Sequence, residues 1–266
     1  MPGTRLSGKC VLVTRPAHQA EPLVEQLTAA GAEVECLPTI RLRDPDDRAP
    51  LLEAVSHLED YDWVVFTSVN GVERFRAALE ERQQELREIP GLRWAAIGPA
   101  TARALHEAGI GVVLLPASYR AEALAEAIRE SAGGPGRGYG EAEAPLRGAK
   151  VLLARAAGAR AVLPERLRAL GAEVDEVAAY VTESNPEAAD GLRETTDDRR
   201  WDWITFTASS AVRAFAELGG HIGKSRVAVI GPITAGTAEA LGFPVHVVAA
   251  EYTIPGLVRA IQEAEA

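Results

Sequence analysis

Cysteine is nearly missing. The 266 residues hold two, Cys10 and Cys36, with neither CxxC spacing nor a histidine close by in sequence. A disulfide framework is excluded and a zinc site has no support. Both stand in apolar, strand-like runs, as buried reduced thiols do. Lysine is almost as scarce: Lys9, Lys150 and Lys224 are the only ones, and the other 25 of the 28 basic residues are arginine. Arginine suits bidentate recognition of carboxylates, and a GC-rich coding bias produces the same excess. No run approaches the ~18 uninterrupted apolar residues of a membrane span. The opening MPGTRLSGKC holds no long apolar core of a secretory signal, so the expected location is cytoplasmic. HExxH, GxSxG and GxxxxGK(S/T) are all missing, and the five histidines (His18, His57, His106, His221, His246) are scattered. The usual zinc-protease, nucleophile-elbow and phosphate-loop chemistries lose their motifs.

What is there is ordinary globular material, 47% hydrophobic and 25% charged. At ~100–200 residues per domain the length suggests two domains. The formal charge is −10 and the pI about 5.1. An acidic chain is a poor nonspecific partner for nucleic acid or an anionic membrane. It can still hold an anionic small molecule, since local arginines and helix N-termini create positive pockets.

Self-similarity is the strongest signal. Val11–Glu35 (VLVTRPAHQAEPLVEQLTAAGAEVE) matches Val151–Asp175, and Asp62–Phe75 (DWVVFTSVNGVERF) matches Asp202–Phe215, both at an offset of 140. Trp94–Ile110 (WAAIGPATARALHEAGI) matches Val227–Phe243 at an offset of 133. Two copies of so long a unit are too few for a solenoid and describe a duplicated domain. Strands are expected at CVLVT, EVECLPTI, WVVFTS, WAAIG and VVLLP, then at KVLLA, EVDEVAAYV, WITFTA, VAVIG and VHVVA. Between them run helix-period segments, two of which end at Gly31 and Gly171 as natural C-caps. Apolar strands alternating with helices imply α/β architecture with doubly wound parallel sheets. The Gly/Pro-rich piece Ser131–Gly148 is expected as a flexible loop between the copies.

Ligands of such sheets bind beyond the carboxyl ends of the strands. Small polar residues stand there: Thr67-Ser68-Val69-Asn70 and Thr207-Ala208-Ser209-Ser210, Gly98-Pro99-Ala100-Thr101 and Gly231-Pro232-Ile233-Thr234, and Thr14-Arg15-Pro16. Each begins a helix, where free N–H groups and the positive end of the dipole accept anions. Helix capping alone accounts for any one of them. Five on one predicted edge of duplicated sheets describe a polar cleft that holds several anions through neutral donors.

Taken in order, VLVTRP, AGAEV, DWVVFTSVNGV, AAIGPATARAL, AAY, WITFTASSAV and AVIGPITAGTAEALG resemble the uroporphyrinogen-III synthase family from Val11 to Ile261. The resemblance implies a lyase of tetrapyrrole and heme biosynthesis. It closes the linear hydroxymethylbilane to uroporphyrinogen III, losing water and inverting ring D, without metal or organic cofactor. It also implies an exchanged chain path. Domain one would hold 1–37 and 182–266, domain two 43–176, with crossing strands at 38–42 and 177–181 and the substrate in the cleft between the domains. Tyr180, in the second crossing strand, is the implied proton donor to the departing hydroxyl. Thr101, Thr234, Ser68 and Ser209 match family positions that donate to substrate carboxylates. Arg226 stands where the family often carries a base, and Asn70 where arginine occurs in some members. With Arg15, Thr67 and Ser210 they make the expected substrate-binding set. The expected partner is a polycarboxylate tetrapyrrole, and the expected state a monomer. Two readings from other classes compete: a two-lobed ligand-binding protein of periplasmic type, disfavoured without a secretory signal, and a nucleotide-dependent transferase. For the latter, TRPAHQ and ARAAGA lack the GxGxxG turn.

Overall fold

Four-residue apolar runs seed both sheets. The computed structural model describes residues 5–85, 89–111, 113–132, 144–193 and 201–266. Along the chain the elements are β1 (Cys10–Val13), α1 (Ala17–Ala29), β2 (Glu33–Cys36), β3 (Ile40–Arg43), α2 (Ala49–Ser56), β4 (Trp63–Phe66), α3 (Val69–Glu81), β5 (Arg93–Ala96), α4 (Pro99–Glu107), β6 (Val113–Leu114) and α5 (Ala121–Ala132). There follow β7 (Lys150–Ala156), α6 (Val162–Ala169), β8 (Glu173–Ser184), α7 (Ala188–Arg193), β9 (Trp203–Phe206), α8 (Ser209–Glu217), β10 (Arg226–Val229), α9 (Pro232–Ala240), β11 (Val247–Val248) and α10 (Ile254–Ala264). β4 and β9 are buried at every position, because helices cover both faces of a parallel sheet.

One sheet has the strand order β11-β10-β9-β1-β2 and the other β3-β8-β7-β4-β5-β6. Every strand of the first is paired in parallel, as are β8, β7, β4, β5 and β6 in the second. The chain divides into two compact units, Met1–Leu42 with Thr182–Ala266, and Arg43–Val181.

The expected strand EVECLPTI is two strands in two sheets, β2 and β3. Leu37-Pro38-Thr39 separates them, because proline lacks the N–H that a ladder needs. EVDEVAAYV has no such break and continues to Ser184 as one 12-residue strand. Gly31 and Gly171 both adopt φ +94°, the left-handed conformation in which glycine ends a helix at no steric cost. The Gly/Pro-rich piece expected as a loop lies, over 133–143, outside the described residues.

Each unit is organised around a matched aromatic pair. Phe66 of β4 meets Phe75 of α3 edge-on at 5.2 Å, and Phe206 of β9 meets Phe215 of α8 at 5.3 Å. All four side chains are fully buried, worth about 1.5–3 kcal/mol each in transfer alone. At the amino edge, Asp62 accepts from the Lys150 N–H at 2.9 Å. Asp202 accepts from the Cys10 N–H at the same distance. The repeated Asp-Trp pair is therefore structural: it pins the start of the central strands.

Candidate functional site at the strand ends

The carboxyl edge of each sheet collects the polar residues that follow its strands. In the unit Arg43–Val181, Ser68 is the N-cap of α3, with φ −158° and ψ 154°, and its Oγ accepts the Gly71 N–H at 3.1 Å. Glycine is needed at that point: a methyl group on Gly71 would lie 2.8 Å from the Ala154 carbonyl oxygen. This close approach brings the first turn of α3 against β7. Tyr180 reaches the same place from β8, its hydroxyl 3.0 Å from Ser68 Oγ. A register shift after Arg155 sets Ala156 opposite Tyr180, after Arg155 has paired with Ala178. Such a bulge re-aims the side chains beyond it, and here Tyr180 and its neighbour Ala179 are both buried. Two hydroxyls share one hydrogen between them, so the second proton of the pair can be donated elsewhere.

Thr67, Asn70 and Ser68 occupy the half-buried turn between β4 and α3. Thr101 lies in the first turn of α4, only 4% exposed. Its counterpart Thr234 lies in the first turn of α9, 5% exposed. Neither hydroxyl has a hydrogen-bond partner among the described residues. The described buried side-chain atoms left without a partner are Arg15 Nε and Trp63 Nε1, so these two hydroxyls are reached by solvent rather than sealed in the core.

In the other unit Arg15 follows β1. Its Nε is buried and has no partner among the described residues, and burial lowers the pKa of its guanidinium. A desolvated cation with an open donor favours an incoming anion. Ser209 and Ser210 open α8 after β9, both half-buried. Ser209 Oγ accepts from Thr237 Oγ1 at 2.9 Å and reaches the Ile233 carbonyl at 3.3 Å, which ties α8 to the turn of α9 that holds Thr234.

Arg226 does not join this set. It is the first residue of β10 and lies at the amino edge, the opposite end of the sheet from Thr234. Its guanidinium stacks over the Trp203 ring at 4.2 Å, donates to the Ala264 carbonyl and pairs with Glu265. Arg93 does the same over Trp63 at 4.8 Å in the other unit. Its contacts are thus with the amino edge, apart from the strand-end residues with which it was expected.

Arg155 is a strand-end residue that the sequence reading passed over. It sits at the offset of 140 from Arg15, so the repeat itself carried the signal. It is 6% exposed, with Nη1 3.4 Å from Glu176 and Nη2 on the Arg160 carbonyl. Burial lowers its pKa, with Glu176 opposing. Among the described residues no group of three or more His, Cys, Asp or Glu could hold a metal ion. A cavity of about 640 Å³ in the same unit is lined by Glu53, His57, Tyr61, Arg168 and Asp175. Tyr61 precedes β4, so the cavity opens toward the amino end and holds none of the strand-end donors.

Parallel doubly wound sheets with hydroxyls, helix N-termini and a desolvated arginine at their carboxyl ends define an α/β enzyme class acting on anionic small molecules. The chain belongs to the uroporphyrinogen-III synthase family. The family model described as uroporphyrinogen-III synthase HemD matches residues 21–259. The uroporphyrinogen-III synthase of Synechococcus elongatus is 32% identical over 268 residues, covering 97% of this chain and 96% of its own. That of Chlorobaculum parvum is 28% identical, covering 96% and 99%. Two solved structures share the fold. A mutant uroporphyrinogen III synthase of Thermus thermophilus has a TM-score of 0.64 at 17% identity, covering 97% of this chain and 98% of its own. Uroporphyrinogen-III synthetase of Helicobacter pylori has a TM-score of 0.59 at 16% identity, covering 96% and 99%.

Proposed function

We infer that the chain acts as a uroporphyrinogen-III synthase, a lyase that closes hydroxymethylbilane to uroporphyrinogen III with loss of water and inversion of ring D. The observation that carries this is the family match across residues 21–259. The strand-end chemistry agrees with it. The substrate is a flexible chain of four pyrroles bearing eight carboxylates. Loss of its terminal hydroxyl leaves an electrophilic methylene that closes unaided onto the free α-carbon of ring D, giving the symmetric isomer. Selecting the other isomer requires attack by the substituted α-carbon. A spiro intermediate forms, the old bridge bond breaks, and the bridge carbon rejoins ring D at its free position, which loses its proton. Much of that task is holding one conformer.

In the proposed mechanism Tyr180 donates a proton to the leaving hydroxyl, which departs as water. Ser68 holds the phenol oxygen and stabilises the charge left on it. The proton lost from ring D restores the donor. Thr67, Asn70, Thr101, Ser209, Ser210 and Thr234 serve carboxylates as neutral donors, and Arg15 supplies one charged contact. The reaction needs no added cofactor.

The duplication and its exchange belong to the same reading. Matched by the offset of 140 and then 133, β2-β1-β9-β10-β11 and β8-β7-β4-β5-β6 are the same strand order. The five-stranded sheet then takes two strands from one copy and three from the other, and the six-stranded sheet does the same with β3 added at its edge, with domain one as 1–37 and 182–266, domain two as 43–176, and 38–42 and 177–181 as crossings. A monomer acting in the cytoplasm completes the proposal.

The test is isomer analysis after adding purified protein to freshly generated hydroxymethylbilane. Type III product well above the uncatalysed background is expected without added metal or coenzyme. An isomer ratio equal to that background overturns the reading.

A further inference from the structure

Among the described residues two aromatic side chains are exposed, and they occupy matching places. Tyr119 is 49% and Tyr252 52% exposed, at the offset of 133 that relates the Gly-Pro turns. Leu115, 40% exposed, and Val248, 43% exposed, repeat the same spacing. Four of the six exposed large hydrophobic side chains among the described residues are thus two copies of one pair. Each pair stands at the end of the outermost strand of its sheet, β6 or β11, and precedes α5 or α10; Leu115 comes just after β6, while Val248 is the last residue of β11. Both lie at the carboxyl edge.

The rings rest on glycine. A methyl group on Gly98 would lie 3.7 Å from the Tyr119 ring, and one on Gly231 would lie 3.3 Å from that of Tyr252. These glycines are the N-caps of α4 and α9, so each ring lies beside a helix N-terminus. Three residues into each helix stands Thr101 or Thr234, whose hydroxyl has no partner among the described residues and is reached by solvent. The combination is therefore an aromatic face, free backbone N–H groups and a spare hydroxyl, built independently in each unit. Helix capping explains none of the exposed ring.

We propose that Tyr119 and Tyr252 are substrate-positioning residues, each offering its ring face to a pyrrole whose carboxylate arms take the adjacent helix N-terminus and threonine. This rests on the activity proposed above. A substrate of flat π-rings carrying acidic arms asks for both surfaces together, and offset stacking supplies orientation as well as affinity. The ring is the working part, and the phenol hydroxyl is dispensable.

Steady-state kinetics of Tyr119→Ala, Tyr252→Ala and the double variant test this, with Tyr→Phe at each position as rescue. Each alanine should raise KM about 3- to 10-fold with kcat changed less than about twofold. The double variant should lose more than either, and both phenylalanines should stay within about twofold of the parent. Tyr252→Leu, which keeps bulk over Gly231, should behave as the alanine does, which separates stacking from folding. A double alanine variant with unchanged KM, or phenylalanine variants as weak as alanine, overturns the proposal. Uroporphyrin III binding, read by fluorescence, should weaken by the same factor without turnover. Failure of the parent protein to form type III isomer would defeat the activity reading, while this binding measurement still decides the tyrosines.

Discussion

Replacing Tyr180 by phenylalanine keeps a ring that is only 6% exposed and removes one oxygen. That oxygen stands 3.0 Å from Ser68 Oγ. Ser68 keeps its other bond, from the Gly71 N–H at 3.1 Å, so the cap of α3 survives. The lost hydrogen bond should cost about 0.5–1.5 kcal/mol of stability. Turnover should suffer far more. A preorganised donor at a developing charge is worth about 10²–10³ in kcat. The assay is steady-state kinetics with freshly generated hydroxymethylbilane, beside a thermal melt. Expected is a large drop in kcat, with KM within a few-fold and type III still the main enzymatic product. Ser68→Ala should lower kcat less, and should also cost about 0.5–2 kcal/mol through loss of the cap. A Tyr180→Phe variant with kcat within threefold of the parent would refute the reasoning. Tyr180 would then be a packed strand aromatic, with the proton coming from water or the substrate's own acids.

Arg15→Met should leave stability unchanged or improved, since it removes a desolvated guanidinium whose Nε has no partner among the described residues, yet raise KM about tenfold; a loss of stability without a KM effect would sink its role. Arg226→Ala should lower the melting temperature, breaking a stack at 4.2 Å on Trp203 and a partly exposed pair with Glu265, a cost of about 1 kcal/mol, and leave kcat/KM near the parent value. Gly71→Ala, whose methyl would meet the Ala154 carbonyl at 2.8 Å, should destabilise by about 1–3 kcal/mol; Gly236→Ala, mid-helix with nothing within 4 Å, should stabilise by about 0.5–1 kcal/mol, and equal melting temperatures would contradict both. Cys36, expected buried, is exposed and Cys10 half-buried; partial desolvation of the Cys36 thiol, reinforced by Glu35, still raises its pKa, so at pH 8 less of it is thiolate and alkylation should run slower than for an unstructured cysteine; equal rates would refute this.

Strand seeds, helix ends and sheet type were legible in the sequence because each is a local matter. Four apolar residues such as WVVF or WITF need cover on both faces, whatever surrounds them. Gly31 and Gly171 end helices because a left-handed residue is cheap only as glycine. The repeat could even have pointed from Arg15 to Arg155. Other features needed the fold. EVECLPTI reads as one strand until Pro38 is seen to divide it between two sheets. Ser68 and Tyr180 are 112 residues apart, and a register shift beside Ala156 turns the phenol toward the serine. Arg226 looks like a spare base in the chain, but opening a strand commits it to the amino edge and to Trp203.

By itself, then, the sequence determined which segments become strands and helices, that the sheets are parallel, and which residues follow each strand. Those depend on side-chain periodicity and backbone preference over a few residues. The tertiary structure decided which strands share a sheet, because β4 and β9 carry near-identical apolar patterns and either could pair beside β1 or β7. It also decided which polar side chains meet, since a hydrogen bond between distant residues depends on register and on close backbone approach, as at Gly71, and neither is written in local composition.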